Sequence, residues 1–526
     1  MPRLTPSISA SNLSLSLPGG VSVFARIDLA LGPGRHGLTG PNGGGKTSLL
    51  RLIAGQLKPT VGSVAVQGEI GYLPQRLVLE PAAPVSRLLG IEDKLTAINA
   101  LEAGSANPAL YDVIGDDWDI AEKTTARLAA LGLDHLALNR PVGSLSGGEA
   151  ILVSWAALMR QRPGILLADE PTNNLDRTAR RRLMDGIGQF KGVALVVTHD
   201  LDLLDRMDRI GELRDGQLRW YEAPFAAFEA AKAVEVEAKE RALTQAQAEL
   251  KREQRDLAQA RTNQARRDRV GRKAAGSLPK IVAHARAGAA QVSAGKSKKL
   301  HERRLEASRD RLEAARAELG RGGKLKLELP GAAVPPGRDV LELDHVRPEH
   351  TRLDVSLHLR GPERIALTGP NGIGKTSLLA CVMGAAHPES GTVRLLVPAR
   401  LLPQGLDLLR DELSPLENIV GPAPDQAEDN RVRAGLARLG LAAAKAERPV
   451  GSLSGGERWR ATLAALLLAR PLPQLILADE QTNNLDLDGV ELLTEALVGY
   501  PGAFIVVSHD RQFLDSIKPD RTLDLG

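Results

Sequence analysis

The segment GPNGGGKTSLL, from Gly40 to Leu50, recurs as GPNGIGKTSLL from Gly369 to Leu379, and this repeat constrains the fold more than any other feature. Four further pairs of blocks follow in the same order: YLPQ and LLPQ, GSLSGGE twice, LADEPTNNLD and LADEQTNNLD, and VVTHD and VVSHD. Matched blocks in a fixed order indicate a tandem duplication. The sequence therefore predicts two copies of one domain, and a chain of 526 residues can accommodate both with connecting material.

Each repeat has a strand-like segment, a Gly-rich turn and a helix, which is the geometry of a phosphate site. Backbone N–H groups of the turn converge on phosphate oxygens, and Lys46 and Lys375 neutralise the terminal phosphates. Thr47 and Thr376 offer a hydroxyl to Mg²⁺. The residues predicted to bind phosphate are Gly40, Pro41, Asn42, Gly43, Gly44, Gly45, Lys46, Thr47 and Ser48, and Gly369, Pro370, Asn371, Gly372, Ile373, Gly374, Lys375, Thr376 and Ser377.

Apolar strands further along each repeat end in a pair of carboxylates. Asp169 and Asp479 suit Mg²⁺, while Glu170 and Glu480 can orient and deprotonate an attacking water. Later strand-like segments end at two histidines that could hold the γ-phosphate. The predicted catalytic residues are therefore Glu170, Glu480, His199 and His509.

The LSGGE, YLPQ and TNNLD blocks resemble the signature, Q-loop and D-loop of the ABC ATPases. The resemblance implies ATP and Mg²⁺ as ligands, with Gln75 and Gln404 contacting both. It also implies that the signature of one domain closes over the ATP held by the other. One composite site would then pair Lys46 with Ser454, Gly455 and Gly456. The other would pair Lys375 with Ser146, Gly147 and Gly148.

Two positions depart from the pattern of that family. The aromatic residue that stacks on adenine has no clear counterpart in the first repeat, where Phe24 lies nearest, and His345 is the best candidate in the second. The basic residue three positions after the signature glutamate is Arg460 in the second repeat but Leu152 in the first. Base selectivity and the equality of the two sites therefore stay open.

Between the repeats, residues 229–320 contain no aromatic residue and have leucines at heptad spacing, such as Leu243, Leu250 and Leu257 and then Leu305 and Leu312. Glycines and Pro279 interrupt the pattern in the middle. This predicts an antiparallel helical hairpin whose first helix is on the order of 60 Å long at 1.5 Å per residue. The alternative is a passive spacer or a dimerising coiled coil.

The predicted tip of the hairpin is strongly basic. Residues 261–304 carry 13 Lys and Arg against two acidic residues, a net charge of +11, whereas the whole chain carries +4. Such a cluster attracts phosphate backbones, and the lack of aromatic residues favours structured RNA over single strands. The residues predicted to contact RNA are Arg266, Arg267, Arg269, Arg272, Lys273 and Lys280.

Composition excludes several classes of protein. No apolar run reaches the roughly 18 residues of a membrane span. The N-terminal region lacks the features of a signal peptide, so we expect a soluble, cytoplasmic protein. The single cysteine, Cys381, follows a phosphate loop at a helical position and is expected to be a buried structural thiol.

Two fused ABC domains with a basic helical linker resemble the ABC-F family. The resemblance implies an α/β fold of two P-loop ABC nucleotide-binding domains, over 1–224 and 331–526, joined by a long antiparallel α-helical hairpin linker over 225–330. It implies a monomer that binds the ribosome, through ribosomal RNA and tRNA, when ATP closes the domains and leaves after hydrolysis. The sequence does not distinguish antibiotic protection from a general role in translation.

The sequence leaves two other functions open. The chain could be the ATP-binding subunit of a transporter with separate membrane subunits, although the basic hairpin would then be unexplained. It could also be a regulatory scaffold in which ATP acts only as a clamp. Glu170 and Glu480 argue against the scaffold, because both predicted catalytic carboxylates are present.

Overall fold

The computed structural model describes residues 5–16, 22–75, 77, 80–173, 175–222, 225–275, 300, 303–315, 329–403, 408–421, 425–441 and 443–526. The chain divides into two compact units. One contains residues 1–228 and 325–526, and the other contains residues 229–324. Among the residues described, no helix is both long and apolar enough to cross a membrane.

The first repeat folds around a six-stranded sheet with the order β5-β6-β7-β3-β8-β9, in which only β9 is antiparallel to its neighbour. A separate antiparallel sheet has the order β2-β1-β4. The strands are β1 (Ser7–Ser16), β2 (Ser22–Leu31), β3 (Gly34–Thr39), β4 (Val61–Gln67), β5 (Ile70–Leu73), β6 (Ile165–Asp169), β7 (Val193–Val197), β8 (Arg209–Arg214) and β9 (Gln217–Glu222). The helices are α1 (Lys46–Ile53), α2 (Val85–Leu88), α3 (Glu92–Glu102), α4 (Ala109–Ile114), α5 (Ile120–Ala130), α6 (Gly147–Arg160), α7 (Arg177–Gly188), α8 (Leu201–Leu204) and α9 (Phe225–Ala275).

The second repeat has the same plan, with α10 over 303–315 preceding it in the chain. Its parallel sheet has the order β14-β15-β16-β12-β17, and its antiparallel sheet has the order β11-β10-β13. The strands are β10 (Asp339–Pro348), β11 (Val355–Arg360), β12 (Arg364–Thr368), β13 (Pro388–Leu395), β14 (Ala399–Leu402), β15 (Leu475–Asp479), β16 (Ala503–Val507) and β17 (Arg521–Asp524). The helices are α11 (Lys375–Val382), α12 (Pro415–Val420), α13 (Gln426–Arg438), α14 (Ala443–Ala446), α15 (Gly455–Leu468), α16 (Leu487–Val498) and α17 (Arg511–Ile517).

Two neighbouring strands in each of the larger sheets are buried along their whole length. Every residue of β6, β7, β15 and β16 is buried, and all of them are apolar except the aspartates that end β6 and β15. Parallel strands have such apolar sequences because helices and a second sheet cover both faces of their sheet. Cys381 lies in α11 and is buried, at 3% exposure, as the sequence predicts.

The unit over 229–324 contains most of α9, together with α10. Arg311 of α10 forms a 3.1 Å ion pair with Glu249 of α9, so the two helices pack side by side. Leu257 and Leu312, which occupy heptad positions, are buried. Leu243, Leu250 and Leu305 are partly buried. The heptad pattern therefore marks the contact face of a helical pair, as a hairpin requires.

Candidate functional site

We call the part of the fold formed by the first repeat domain 1 and that formed by the second repeat domain 2. Three parallel strands of domain 1 end at one edge of its six-stranded sheet. The Gly-rich loop follows β3, the carboxylates end β6 and His199 follows β7. Because the carboxyl ends of parallel strands meet at the same edge, these three motifs converge on one cavity. The cavity has a volume of about 390 Å³. It is lined by Val23, Asn42, Gly43, Gly45, Lys46, Thr47, Ser48, Gln75, Asp169, Glu170, Asn173, Val197, His199, Asn483 and Leu485.

The Gly-rich loop requires glycine at two positions. Gly45 has φ of 94° at the start of α1, and a Cβ atom there would lie 2.6 Å from Cγ1 of Val23. At Gly40, with φ of 142°, a Cβ atom would lie 2.1 Å from the carbonyl oxygen of Leu213. The loop therefore turns tightly enough to direct backbone N–H groups into the cavity at the N-terminus of α1.

Lys46 is held by the loop that it follows. Its Nζ donates to the carbonyl oxygens of Gly40 at 2.6 Å and Pro41 at 3.1 Å. Burial lowers the pKa of the Lys46 ammonium, and the negative charge of Glu170 opposes this effect. A largely desolvated ammonium beside backbone donors suits the binding of phosphate oxygens.

Asp169 has the properties expected of a magnesium ligand. Both carboxylate oxygens are buried, and neither has a hydrogen-bond partner in the part of the chain that the structure describes. Burial raises the pKa of Asp169, while the nearby Thr47 hydroxyl opposes this without reaching full hydrogen-bond geometry. A buried carboxylate with unsatisfied oxygens, next to a hydroxyl, fits Mg²⁺, which prefers oxygen ligands. Gln75 lines the same cavity, as predicted for a residue close to the metal.

Glu170 and His199 lie against each other at the back of the cavity. Their Oε1 and Nε2 atoms are 3.3 Å apart, and the backbone N–H of His199 donates to Oε2 of Glu170 at 3.3 Å. Glu170 has a φ of 48°, in the left-handed region that a side chain rarely adopts. Burial raises the pKa of Glu170 to about 8. Strained backbone and a strongly shifted pKa are both typical of catalytic positions.

The second repeat brings the matching residues together with different contacts. Nζ of Lys375 donates to the carbonyl oxygens of Gly369 at 2.7 Å and Pro370 at 3.0 Å. It also lies 3.1 Å from Nε2 of His509 and 3.7 Å from Oε1 of Glu480. Lysine, histidine and carboxylate therefore touch one another directly in this site.

Glu480 differs from Glu170 in its electrostatics. Its φ is also 48°, but a hydrogen bond with His509 lowers its pKa despite partial burial. Nε2 of His509 lies 3.4 Å from Oε1 of Glu480. Asp479 resembles Asp169, because burial raises its pKa and Thr376 opposes the shift. The two candidate bases thus have opposite pKa shifts in one chain.

Residues of domain 2 complete the first site. The backbone N–H of Asn42 donates to Oδ2 of Asp486 at 2.7 Å, and Asn483 and Leu485 line the cavity. A Cβ atom on Gly455 would lie 3.8 Å from Cβ of Asn42. The D-loop and the signature of domain 2 therefore lie against the Gly-rich loop of domain 1, in the predicted head-to-tail arrangement.

Domain 1 also approaches the site of domain 2, but through different residues. Asp176 of domain 1 is close enough to Lys375 to oppose the burial that lowers the pKa of this lysine. Arg180 of domain 1 donates to the carbonyl oxygen of His509 at 3.3 Å. Space is open around the Cβ position of Gly147 in the first signature. The first D-loop thus approaches the second site, while an added Cβ atom on Gly147 would meet no described atom within 4 Å, unlike one on Gly455.

Both signatures begin a helix. Ser146 and Ser454 are the N-caps of α6 and α15, and each forms a capping box with the glutamate three residues later. The serines and glycines of both signatures therefore lie at helix N-termini, where backbone N–H groups favour anions. In the second repeat, Arg460 donates to the carbonyl oxygen of Leu439, so its contact is with the end of another helix.

The two candidates for base stacking differ in their surroundings. Phe24 is 1% exposed and belongs to the core, and its neighbour Val23 lines the cavity instead. The side chain of His345 is 76% exposed and lies 3.0 Å from Asp354. From this strand, an aliphatic residue and not the aromatic one lines the first cavity.

Some predicted residues cannot be placed. Gln404 and Lys280 lie outside the described residues, as do the side chains of Arg267, Arg272 and Lys273. Arg266 and Arg269 are exposed on α9. The sequence reasoning missed Asn483, Leu485 and Asp486 as site residues. The duplicated TNNLD block was the signal, since it follows the carboxylates in both repeats.

The ABC transporter family model matches this chain twice, at residues 24–173 and 353–483. The tylosin resistance ATP-binding protein TlrC of Streptomyces fradiae is 35% identical over 93% of this chain and 92% of its own length. The energy-dependent translational throttle protein EttA of Mycobacterium tuberculosis is 30% identical over 93% of this chain and 86% of its own length. Among solved structures, an RNase-L inhibitor aligns with a TM-score of 0.56 at 19% identity, covering 98% of this chain and 87% of that one, which shows a shared fold.

Proposed function

This chain belongs to the ABC-F proteins, a family of ATP-hydrolysing ABC ATPases, and we propose that it binds the ribosome in its ATP-closed state and modulates translation. Hydrolysis at the two composite sites would separate the two ATPase domains again and release the chain from the ribosome. We propose domain boundaries of 1–224, 225–330 and 331–526 for the two ATPase domains and the linker between them.

The contact between Asn42 and Asp486 carries the proposal. The 2.7 Å hydrogen bond ties the D-loop of one domain to the Gly-rich loop of the other. Asn483 and Leu485 then supply part of the wall of the first cavity. A site built from both domains supports the idea that the bound nucleotide controls how closely they associate, because each domain gains contacts through it.

The roles of the site residues follow from their surroundings. We propose that Lys46 and Lys375 neutralise the β- and γ-phosphates, and that Glu170 and Glu480 accept a proton from the attacking water. His199 and His509 would hold the γ-phosphate and orient these carboxylates. Each pair is in contact, at 3.3 Å and 3.4 Å.

Mg²⁺, when bound, would neutralise charge that develops on the β- and γ-phosphate oxygens. We propose that Asp169, Thr47 and Gln75 hold it in the first site, and Asp479, Thr376 and Gln404 in the second. The buried carboxylate oxygens of Asp169, which have no hydrogen-bond partner among the described residues, support the assignment in the first site.

The ribosome as partner is supported by the relatives and by the linker. TlrC is named for tylosin resistance and EttA for throttling translation. Arg266 and Arg269 are exposed on α9, at the start of the basic segment. Exposed arginines in a segment with 13 basic and two acidic residues suit an RNA backbone. We propose that both, with Arg267, Arg272, Lys273 and Lys280, contact RNA.

Sedimentation of a hydrolysis-deficient variant tests the proposal. The double variant Glu170→Gln and Glu480→Gln should lose turnover by about a hundredfold or more, since each loses its general base. It should still bind ATP and should co-migrate with ribosomal particles in a sucrose gradient containing ATP. The matched control is Glu102→Gln with Glu389→Gln, which removes the same charge from two exposed positions.

Other distributions would reject the ribosomal role. Recovery of the trapped variant in the membrane fraction would favour a transporter subunit instead. Full ATPase activity in the double variant would remove Glu170 and Glu480 as bases. Growth of a tylosin-sensitive host expressing the chain separates protection against this antibiotic from a general effect on translation, because only protection raises the tolerated concentration.

A further inference from the structure

Arg180 joins two acidic side chains of domain 1 near the first site. It lies on α7, and its side chain is 13% exposed. Its Nε and Nη2 atoms donate to the two carboxylate oxygens of Asp200 at 2.6 Å and 2.5 Å, and Nη2 also donates to Asp202 at 3.0 Å. Asp200 directly follows His199, so the guanidinium is fixed to the loop that carries the first histidine.

The remaining nitrogen of Arg180 reaches across to domain 2. Nη1 donates to the carbonyl oxygen of His509 at 3.3 Å. The imidazole of His509 is in turn 3.1 Å from Lys375, 3.2 Å from Asn371 and 3.4 Å from Glu480. One largely buried guanidinium therefore connects the two histidine loops and reaches a residue that contacts three others of the second site.

The duplicated domain does not repeat this connection. The position of Arg180 in the second repeat is taken by Val490, which packs against the core of domain 2. Near the first site, a different cation spans the domains, because Arg214 pairs with Asp488 at 2.8 Å. Gly526 occupies the position of Arg214 in the second repeat. The two ATP sites are therefore held closed by different residues.

The negative charges around Arg180 come from both domains. Asp200 and Asp202 bind it directly, and Asp510 of domain 2 lies near enough to add to their effect. Burial raises the pKa of Asp510, and the charge of Arg180 opposes this. Three carboxylates from two domains thus face one cation. Without that cation they would repel each other across the interface, in surroundings where solvent screens poorly.

We infer that Arg180 is a positioning residue for the second ATP site. It holds the backbone of His509 and keeps Asp200, Asp202 and Asp510 together, so that His509 stays in contact with Lys375 and Glu480 when the domains close. Arg180 is not among the residues that line the first cavity. The inference rests on the proposed roles of Glu170 and Glu480 in hydrolysis.

Single-site backgrounds test it. In Glu170→Gln only the second site turns over, and in Glu480→Gln only the first. Adding Arg180→Met should lower kcat of the second site by about tenfold, the value of a hydrogen bond to a charged group. The KM for ATP should change by less than about twofold, because uniform binding is unaffected. The first site should lose less than the second, because the backbone N–H of His199 also donates to Glu170 within its own domain.

Two companion variants separate positioning from simple destabilisation. Arg180→Lys keeps the charge without the fork and should recover part of the lost kcat. Asp202→Asn added to Arg180→Met should also recover part of it, because one repelling carboxylate is gone. If Arg180→Met only lowered the overall stability, neither companion change would restore turnover of the second site in preference to the first. If Arg180→Met fails to fold, Arg180→Lys should show the same preference for the second site at smaller amplitude.

Equal losses at both sites, or an unchanged second site, would overturn the inference. Failure of the proposed function would look different. In that case the parent single-site backgrounds would show the same turnover as the unsubstituted chain, or no chain would hydrolyse ATP at all.

Discussion

Nδ2 of Asn483 donates a 3.0 Å hydrogen bond to Oε2 of Glu480, and Asn483 also lines the cavity that contains Lys46. One side chain of the second D-loop thus touches the candidate base of its own site and the wall of the other. A change in the occupancy of the first cavity would act on Asn483, and through it on the orientation of Glu480. This is a contiguous contact path between the two sites.

We expect Asn483→Ala to slow the second site even though the residue lines the first. Loss of the donor to Glu480 should lower its turnover by about fivefold to tenfold, for a hydrogen bond to a charged acceptor. Turnover measured in the Glu170→Gln background reads this out. Asn173→Ala is the control, because Asn173 lines the first cavity within its own domain. An effect of Asn483→Ala confined to the first site would contradict the path.

The two sites should differ in their dependence on pH. A general base acts as the carboxylate, and burial raises the pKa of Glu170 to about 8, whereas His509 lowers that of Glu480. At pH 7 only about one tenth of Glu170 would be ionised. Turnover of Glu480→Gln should therefore rise from about pH 6 to about pH 9, while that of Glu170→Gln stays nearly level. Parallel profiles would show that the carboxylates are not the groups that titrate.

The same shifts predict opposite effects on stability. Because the pKa of Glu170 is raised in the folded state, the folded chain binds more protons than the unfolded one between pH 4.5 and about 8. The stability that Glu170 contributes is thus complete below its unfolded pKa and is lost as pH rises through the folded value. Glu170→Gln should raise Tm relative to the unsubstituted chain, by more at about pH 8 than at about pH 5.

Glu480→Gln is the matched comparison. Its pKa is lowered in the folded state, so the carboxylate contributes stability above its unfolded pKa and loses it as pH falls. Glu480→Gln should therefore lower Tm near neutral pH. Thermal unfolding of both variants across this range measures the contrast, and the same sign for both would contradict the assigned environments.

The sequence predicts the positions of the motifs well, because each follows a buried strand whose end is fixed by the parallel sheet. Lys46, Asp169 and His199 meet for this reason, and so do their repeats. The differences between the sites are not predictable in the same way. Glu170 and Glu480 both follow the triplet Leu-Ala-Asp, yet their pKa shifts have opposite directions, because burial dominates at Glu170 whereas the hydrogen bond with His509 dominates at Glu480 in the folded chain.

The sequence did not predict which side chain of β2 faces the first cavity. Phe24 has the right type for stacking on a base, but its side chain alternates to the core side of β2, and Val23 faces the cavity instead. A shift of one residue in a strand reverses which face a side chain occupies. Arg180 and Val490 likewise occupy equivalent positions, and only the interface shows that one of them spans the domains.

The last prediction concerns the exposed arginines of α9. Replacing Arg266 and Arg269 with Gln should weaken binding to purified ribosomes and reduce the salt slope of log Kd by about one for each lost phosphate contact. The control is Lys239→Gln with Arg241→Gln, which removes the same charge from the same helix. These two basic side chains already pair with Glu235 and Glu237 one turn away, so they have less charge to offer RNA. Affinity measured over a range of KCl concentrations should therefore separate the variants, and equal slopes would mean that only net charge attracts the ribosome.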